Sequence, residues 1–286
     1  MEYIQPDWPA PPQVKAVTTT RAGGLSSGPY RSLNLATHVA DAAAAVAANR
    51  DRLSSDLALP AAPRWLDQRH TTTLIDAACA GGTVVADGAV AARPGEVCAI
   101  LTADCLPLLL CDRAGTTVAA LHVGWRGLFD GIVQAGITRL VATGTGADNL
   151  LAWIGPGISQ RHYQVGPEFR ERFVERNPDF APMFAPDGTR WRVALDAICE
   201  SILQGLGVTA IYRSGLCTCA DGERFFSYRR DGTTGRMATL IWLDEPPRGS
   251  AEAWQAPLNH PDFQSRANIE SAPGAEAEFG DRMRIR

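Results

Sequence analysis

The chain has 286 residues, 45% of them hydrophobic, enough to bury a full core in one large domain or two small ones. A formal charge of −4 gives no electrostatic case for a nucleic-acid or membrane partner, and no apolar run reaches the length of a membrane span. The first residues, Met-Glu-Tyr-Ile-Gln-Pro, have neither a basic start nor an apolar stretch, so no signal peptide is expected and a cytoplasmic location follows by default. The 7 cysteines are an odd number, and Cys98, Cys111 and Cys199 lie in apolar runs. Buried free thiols in a reducing compartment explain these better than disulfides.

In chain order, residues 15–20 read as a strand, followed by a Gly/Ser/Pro loop through Pro29. Asp41 suits the N-cap of an alanine-rich helix running to about Leu53. Residues 65–76 look like a strand. Residues 97–102, 106–111 and 117–122 are short apolar runs rich in Leu, Val and Ile, the pattern of strands buried on both faces. Apolar positions at helical spacing over 128–141 predict a helix packed on them. A strand over 150–154 enters the Gly155-Pro156-Gly157 turn, and residues 166–176 and 193–206 read as amphipathic helices. Strands are expected over 210–212, 225–228 and 237–243. This alternation implies an α/β fold with mixed sheets. From Glu245 to Arg286, Pro, Gly, Ala and charged residues dominate and periodicity is lost, so a low-order tail is expected there, in which Trp254 and Phe263 are the candidate docking residues.

Chemistry concentrates at two strand ends. Leu101-Thr102-Ala103-Asp104-Cys105 breaks at Leu106-Pro107, and Val118-Ala119-Ala120-Leu121-His122 runs into Val123-Gly124-Trp125-Arg126-Gly127. A cysteine beside a buried strand is usually a packed thiol, and a histidine ending an apolar strand is usually a satisfied core residue. The neighbours argue otherwise. Asp104 is costly to bury without a partner, the glycines allow close backbone approach, Trp125 gives a flat apolar wall, and Arg126 suits an anion. His70, in Trp65-Leu66-Asp67-Gln68-Arg69-His70, is a weaker third candidate. One cysteine and two histidines suit a three-ligand site whose fourth position stays open, the composition of a catalytic zinc centre. His38, His162 and His260 lack comparable surroundings.

Arg21, Arg50, Arg126, Arg229, Arg230 and Arg236 lie in loops able to line such a cleft, although most surface arginines are simply solvated. Residues 226–236, Phe-Ser-Tyr-Arg-Arg-Asp-Gly-Thr-Thr-Gly-Arg, join aromatics, hydroxyls and guanidiniums in one short hairpin-like stretch, which suits an anionic or sugar-bearing ligand. Three motifs fail for want of context. Gly24-Leu25-Ser26-Ser27-Gly28 has no helix after it, as a hydrolase elbow requires. Gly144-Thr145-Gly146 follows a helix, the wrong side for a dinucleotide loop. Cys217-Thr218-Cys219 is not the cysteine pair of a nucleobase deaminase.

Thr102-Ala103-Asp104-Cys105-Leu106-Pro107, His122-Val123-Gly124-Trp125-Arg126-Gly127, Ile154-Gly155-Pro156-Gly157-Ile158, and Phe226-Ser227-Tyr228-Arg229-Arg230 with Thr234-Gly235-Arg236 resemble the laccase-domain family. That family was long called multicopper polyphenol oxidases and is now described as purine nucleoside phosphorylases. Ser32-Leu33-Asn34-Leu35 and Asn49-Arg50 also resemble its N-terminal motifs, and the resemblance covers roughly residues 1–243. It implies a single laccase-domain-type sandwich: an α/β fold of mixed β-sheets packed with helices, with a catalytic domain over 1–244 and the tail over 245–286.

By motif, the family's metal ligands fall on His70, Cys105 and His122. Asp104 joins them as a catalytic residue, and Asn34, Arg50, Arg126 and Arg229 as substrate-binding residues. The chain departs from the family at Arg69 and Thr71, where Gln-Val-His-Gly is usual, and at Val123. The implied activity is phosphorolysis of adenosine, inosine and methylthioadenosine, with adenosine deamination as a companion reaction at the same metal. Zinc is the expected cofactor and copper the alternative. The partners are a nucleoside and phosphate, with the oligomeric state open. Copper-dependent polyphenol oxidation stands as the alternative, weakened because 5 histidines cannot build a four-copper centre. A non-enzymatic protein with a structural metal site is the third reading.

Overall fold

In the computed structural model, residues 1–79 and 82–245 are described. The chain begins with β1 (Tyr3–Ile4), β2 (Val14–Thr19) and α1 (Ala43–Asp56). Next come β3 (Leu66–Asp67), β4 (Leu74–Asp76), β5 (Val84–Val85), β6 (Gly88–Ala91), β7 (Val97–Thr102), β8 (Leu106–Asp112) and β9 (Val118–Val123). Helices α2 (Trp125–Asp130) and α3 (Ile132–Val141) lead to β10 (Leu150–Ile154), β11 (Gln164–Val165), α4 (Pro167–Arg176), β12 (Phe184–Asp187) and β13 (Arg190–Val193). The last elements are α5 (Leu195–Gly205), β14 (Ala210–Arg213), α6 (Tyr228–Asp231) and β15 (Met237–Leu243).

Two larger sheets carry the core. One has four strands in the order β1-β2-β15-β7, all antiparallel. The other has six, in the order β14-β10-β8-β9-β6-β4, with parallel pairing only for β10–β14 and β4–β6. Strand alternation sorts the side chains into layers. Leu106, Leu108 and Leu110 of β8 and Ala119, Leu121 and Val123 of β9 pack with Leu128 of α2, with Ile132, Val133, Ile137 and Leu140 of α3, and with Ile198 and Leu203 of α5. Their alternates, Leu109, Cys111, Val118 and Ala120, meet Cys98 and Ile100 of β7 and Ile241 of β15, joining the two sheets. On the far side of the four-stranded sheet, Ala99, Leu101 and Leu240 pack with Leu33 and Leu35, which precede α1, and with Leu53 of α1.

The expected laccase-domain-type sandwich is therefore corrected. Two sheets stack, but both are unclosed, the six-stranded one is mixed, and helices cover their outward faces. Every residue of β7, β8, β9 and β10 is buried, so both faces of these strands need apolar cover. A plain two-sheet sandwich would leave one face of each strand to water.

Local departures have local causes. Asp41 does not cap α1, whose N-cap is Ala42; its carboxylate instead accepts hydrogen bonds from Ser26 Oγ (2.6 Å) and Asn34 Nδ2 (2.9 Å). The helix expected over 128–141 is two helices, broken where Gly131 adopts φ 108°. Residues 225–228 form no strand, because Ser227 Oγ accepts the Arg230 N–H (3.2 Å) and starts α6. The strand expected over 65–76 is interrupted between β3 and β4, with His70 at φ 61°. The expected tail, with Trp254 and Phe263, lies almost wholly outside the described residues. Among those described, no helix is long and apolar enough to cross a membrane.

Candidate metal centre

Three segments bring the candidate ligands together. Cys105 sits in the two-sheet connection between β7 and β8, His122 near the end of β9, and His70 in the loop between β3 and β4. Their ligand atoms lie within 4.8 Å of one another, and among the described residues no other His, Cys, Asp or Glu joins the group. The two imidazole centroids are 4.8 Å apart.

Asp87, which no sequence motif marks, builds this arrangement. Its fully buried carboxylate follows β5 and precedes β6. Oδ1 accepts from His70 N (3.0 Å) and faces His122 Nδ1 at 2.7 Å. Oδ2 accepts from Arg69 N (3.1 Å), Thr71 N (2.6 Å) and Thr71 Oγ1 (2.8 Å). One carboxylate thus folds the His70 loop and orients the His122 ring, leaving His122 Nε2 as the nitrogen turned from Asp87. Gln68 completes the loop's anchorage: its amide donates to Leu101 O and accepts from Leu101 N, both at 2.8 Å, at the end of β7.

The donor set fits a metal cation. His70 Nδ1 is buried with no hydrogen-bond partner, which an isolated imidazole nitrogen would not tolerate cheaply. Burial and the neighbouring His122 hold the His70 pKa down to about 4, so it is a neutral ligand near pH 7. Burial opposes charge on His122, yet Cys105 and Asp87 outweigh it and raise its pKa to about 9. The same negative surroundings favour a cation in place of that proton. Gly124 makes room: a Cβ there would run into the His70 ring and stand 3.1 Å from Cys105 Sγ.

Asp104 supports the cysteine. It adopts φ 93°, its carboxylate accepts from Thr218 Oγ1 (2.7 Å) and Arg229 N (2.6 Å), and its carbonyl accepts from Ile158 N (2.9 Å). The Gly155-Pro156-Gly157 turn and the 226–236 stretch therefore meet at the residue before Cys105. Arg229 donates to Gln164 O (3.0 Å) and lies 4.9 Å from the Tyr163 ring centroid. Arg126 is exposed and stacks over Trp125 at 4.5 Å. Tyr163, which drew no attention in the sequence, is within electrostatic reach of Cys105, Asp104, Arg229 and Arg126, and burial pushes its hydroxyl pKa up. Arg236 is likewise within reach of Cys105 and Asp104.

Two of the sequence-selected residues are engaged elsewhere. Asn34 is buried, donates to Ala36 O and Asp41, and accepts from Ala36 N and from Arg236 N (3.0 Å). Arg50 donates to Leu35 O (2.9 Å) and stacks over Trp65 at 4.2 Å, and burial lowers its pKa to about 10. Neither is brought to the three ligands by any of these contacts.

A family model described as multi-copper polyphenol oxidoreductase laccase matches residues 15–244. The chain belongs to this laccase-domain family. It is 44% identical over 245 residues to a purine nucleoside phosphorylase of Pseudomonas aeruginosa, covering 85% of this chain and 99% of that protein. It is 42% identical over 243 residues to the Escherichia coli purine nucleoside phosphorylase YfiH, covering 85% and 99%. Among solved structures, the Neisseria meningitidis protein NMB0706 superposes with a TM-score of 0.80 at 43% identity, covering 86% of this chain and 100% of that one. YlmD from Geobacillus stearothermophilus gives 0.80 at 27% identity, covering 86% and 97%. Theirs is the fold described above, in place of a laccase-type β-sandwich.

Proposed function

We propose that this chain is a purine nucleoside phosphorylase acting on adenosine, inosine and methylthioadenosine, with zinc held by His70, Cys105 and His122. The observation that carries the reading is the three-ligand cluster, with His122 buried and His70 and Cys105 half-buried, in a chain so closely similar to proteins named purine nucleoside phosphorylases. Three protein ligands with none of the described residues in fourth place suit a catalytic centre better than a structural one, which closes all four positions. When bound, zinc supplies Lewis-acid polarisation at the open position.

The chain's own residues do the rest. Asp87 fixes the orientation of His122 and the shape of the His70 loop. Asp104 is a positioning residue, tying Cys105 to the Thr218 and Arg229 segments. Arg126 and Arg229 hold phosphate, since guanidinium matches its oxygens bidentately. Asn34 acts behind them by holding the Arg236 backbone, and Arg50 by fixing Leu35 against α1. A phosphate oxygen then attacks C1′ as the glycosidic bond breaks, giving ribose 1-phosphate and free purine through an oxocarbenium-like transition state. Adenosine deamination to inosine is the companion activity of the same site. The reading places the enzyme in the cytoplasm.

The test is one protein preparation, analysed for metal and loaded in turn with zinc and with copper, given adenosine with and without phosphate and separately a phenolic dye precursor. Phosphate-dependent release of adenine and ribose 1-phosphate by the zinc form is expected. Activity of the copper form alone, and only on the phenol, would replace this reading by polyphenol oxidation.

A further inference from the structure

A second group of reactive side chains lies around the Cys217-Thr218-Cys219 turn. Cys217 Sγ receives Ser159 N–H at 3.3 Å and Ser159 Oγ–H at 3.0 Å, and stands 3.5 Å from His162 Nδ1. Ser159 Oγ and His162 Nδ1 are themselves 3.4 Å apart. The backbone holds this group in place. Thr218 N donates to Gly157 O (3.0 Å), and His162 N donates to Ser159 O (3.0 Å), closing the 3-10 turn Gln160–His162. Cys217, Ser159 and His162 are all half-buried, unlike the buried Cys98, Cys111 and Cys199.

The other cysteines differ. Cys98, Cys111 and Cys199 are buried, and burial pushes the thiols of Cys111 and Cys199 up to about 12 and that of Cys98 higher still. Cys79 is exposed and Cys105 belongs to the metal centre. Among the described residues, the Cys217 group is not a further set of three metal ligands. A sulfur facing an imidazole, a hydroxyl and an amide N–H is instead the setting of a nucleophilic thiolate, with histidine as proton acceptor.

We propose that Cys217 is a peroxide-reactive thiol, set by Ser159 and His162, with Cys219 as its resolving thiol. The Cys217 proton passes to His162. The sulfur attacks one oxygen of hydrogen peroxide, the O–O bond breaks, and the leaving hydroxide takes the proton back from His162 as water, so that Cys217 becomes a sulfenic acid. The Cys219 sulfur then attacks Cys217 sulfur. The S–O bond breaks, a second water leaves with the Cys219 proton, and a disulfide forms. Two thiols lose two electrons and one peroxide becomes two waters. The division of roles follows the surroundings: the Cys217 sulfur faces Ser159 and His162, and Cys219 stands two residues further along the same turn.

Both cysteines fall on one tryptic peptide, Ser214 to Arg224. The experiment treats full-length, zinc-loaded protein with limiting hydrogen peroxide, blocks remaining thiols by alkylation and maps peptides by mass. The Ser214–Arg224 peptide should lose two hydrogens before the exposed Cys79 changes. Ser159→Ala and His162→Gln should each slow the reaction about tenfold at unchanged Tm, the scale of losing a thiolate's stabilising partner. In Cys219→Ser, a sulfenic acid trappable by dimedone should accumulate on Cys217. Oxidation of Cys217 no faster than of Cys79, or an unchanged rate in both Ser159→Ala and His162→Gln, overturns the proposal. So does the absence of trappable sulfenic acid in Cys219→Ser.

Discussion

Asp87→Asn should damage the metal centre without removing any of its three ligands. The substitution keeps the shape and removes the charge, placing an NH2 group where one carboxylate oxygen was. If the nitrogen takes the Oδ2 position, it faces Arg69 N, Thr71 N and Thr71 Oγ1. Two backbone donors are then left without an acceptor, at about 1–3 kcal/mol each, so about 2–6 kcal/mol in all. If it takes the Oδ1 position, it faces His70 N and His122 Nδ1. His122 must then accept through Nδ1 and carry its proton on Nε2, the nitrogen the metal needs. Either way the ligands lose their orientation, and losses of this kind lower metal affinity roughly 10–100-fold. The assay is competition for zinc against a chromophoric chelator, with thermal unfolding alongside. At about 2–4 °C per kcal/mol for a chain of this size, the lower end of that range alone means a Tm drop of roughly 4–8 °C. Zinc affinity within twofold of the parent would show that Asp87 does not organise the site.

Three further outcomes are expected. Gly124→Ala needs no backbone change, since φ is −79°, but its Cβ collides with the His70 ring; zinc affinity should fall at least about tenfold in a protein that melts normally, as measured by metal content after dialysis. Arg229→Gln should raise the KM for phosphate about tenfold while changing kcat less, because a bidentate phosphate contact is lost and the backbone N–H to Asp104 is retained. Ending the chain after Glu245 should leave a folded, active enzyme, since Met1–Pro246 is one compact unit; stopping before Asp244 would remove its bonds to Gln13 O (2.8 Å) and Trp242 Nε1 (3.0 Å), and circular dichroism melts of the two truncations should differ accordingly.

The inner strands were the most legible part of the sequence. Unbroken apolar runs at 97–102, 106–111 and 117–122 describe strands buried on both faces, and all three are found. Their chemistry was legible for the same reason: a cysteine or histidine ending such a run stands where a strand meets a loop. The laccase-type sandwich was inferred from resemblance, and the same apolar runs argue against it, because strands with two apolar faces need helices outside them. The 225–228 stretch misled by composition. Phe225 and Phe226 suggest a strand, yet they bury themselves beside Ala103 and Met237 while Ser227 turns the chain into a helix.

Asp87 was illegible for a different reason. It sits in Val84-Val85-Ala86-Asp87-Gly88-Ala89-Val90, where period and propensity speak only of short buried strands. A carboxylate in such a run cannot reach water, and an unpaired buried charge costs several kcal/mol. It must therefore have donors, and strands on either side use their own N–H groups in the sheet. The donors have to come from an irregular segment nearby, whose backbone N–H groups are free. In this chain that segment is Arg69-His70-Thr71, and its need for an acceptor is the complement of the Asp87 need for donors. His70 is held in a left-handed conformation at φ 61° by this exchange. The position of a candidate metal ligand is thus set by a residue outside the three-ligand cluster, and the hydrogen bond to His122 extends the same control to a second candidate.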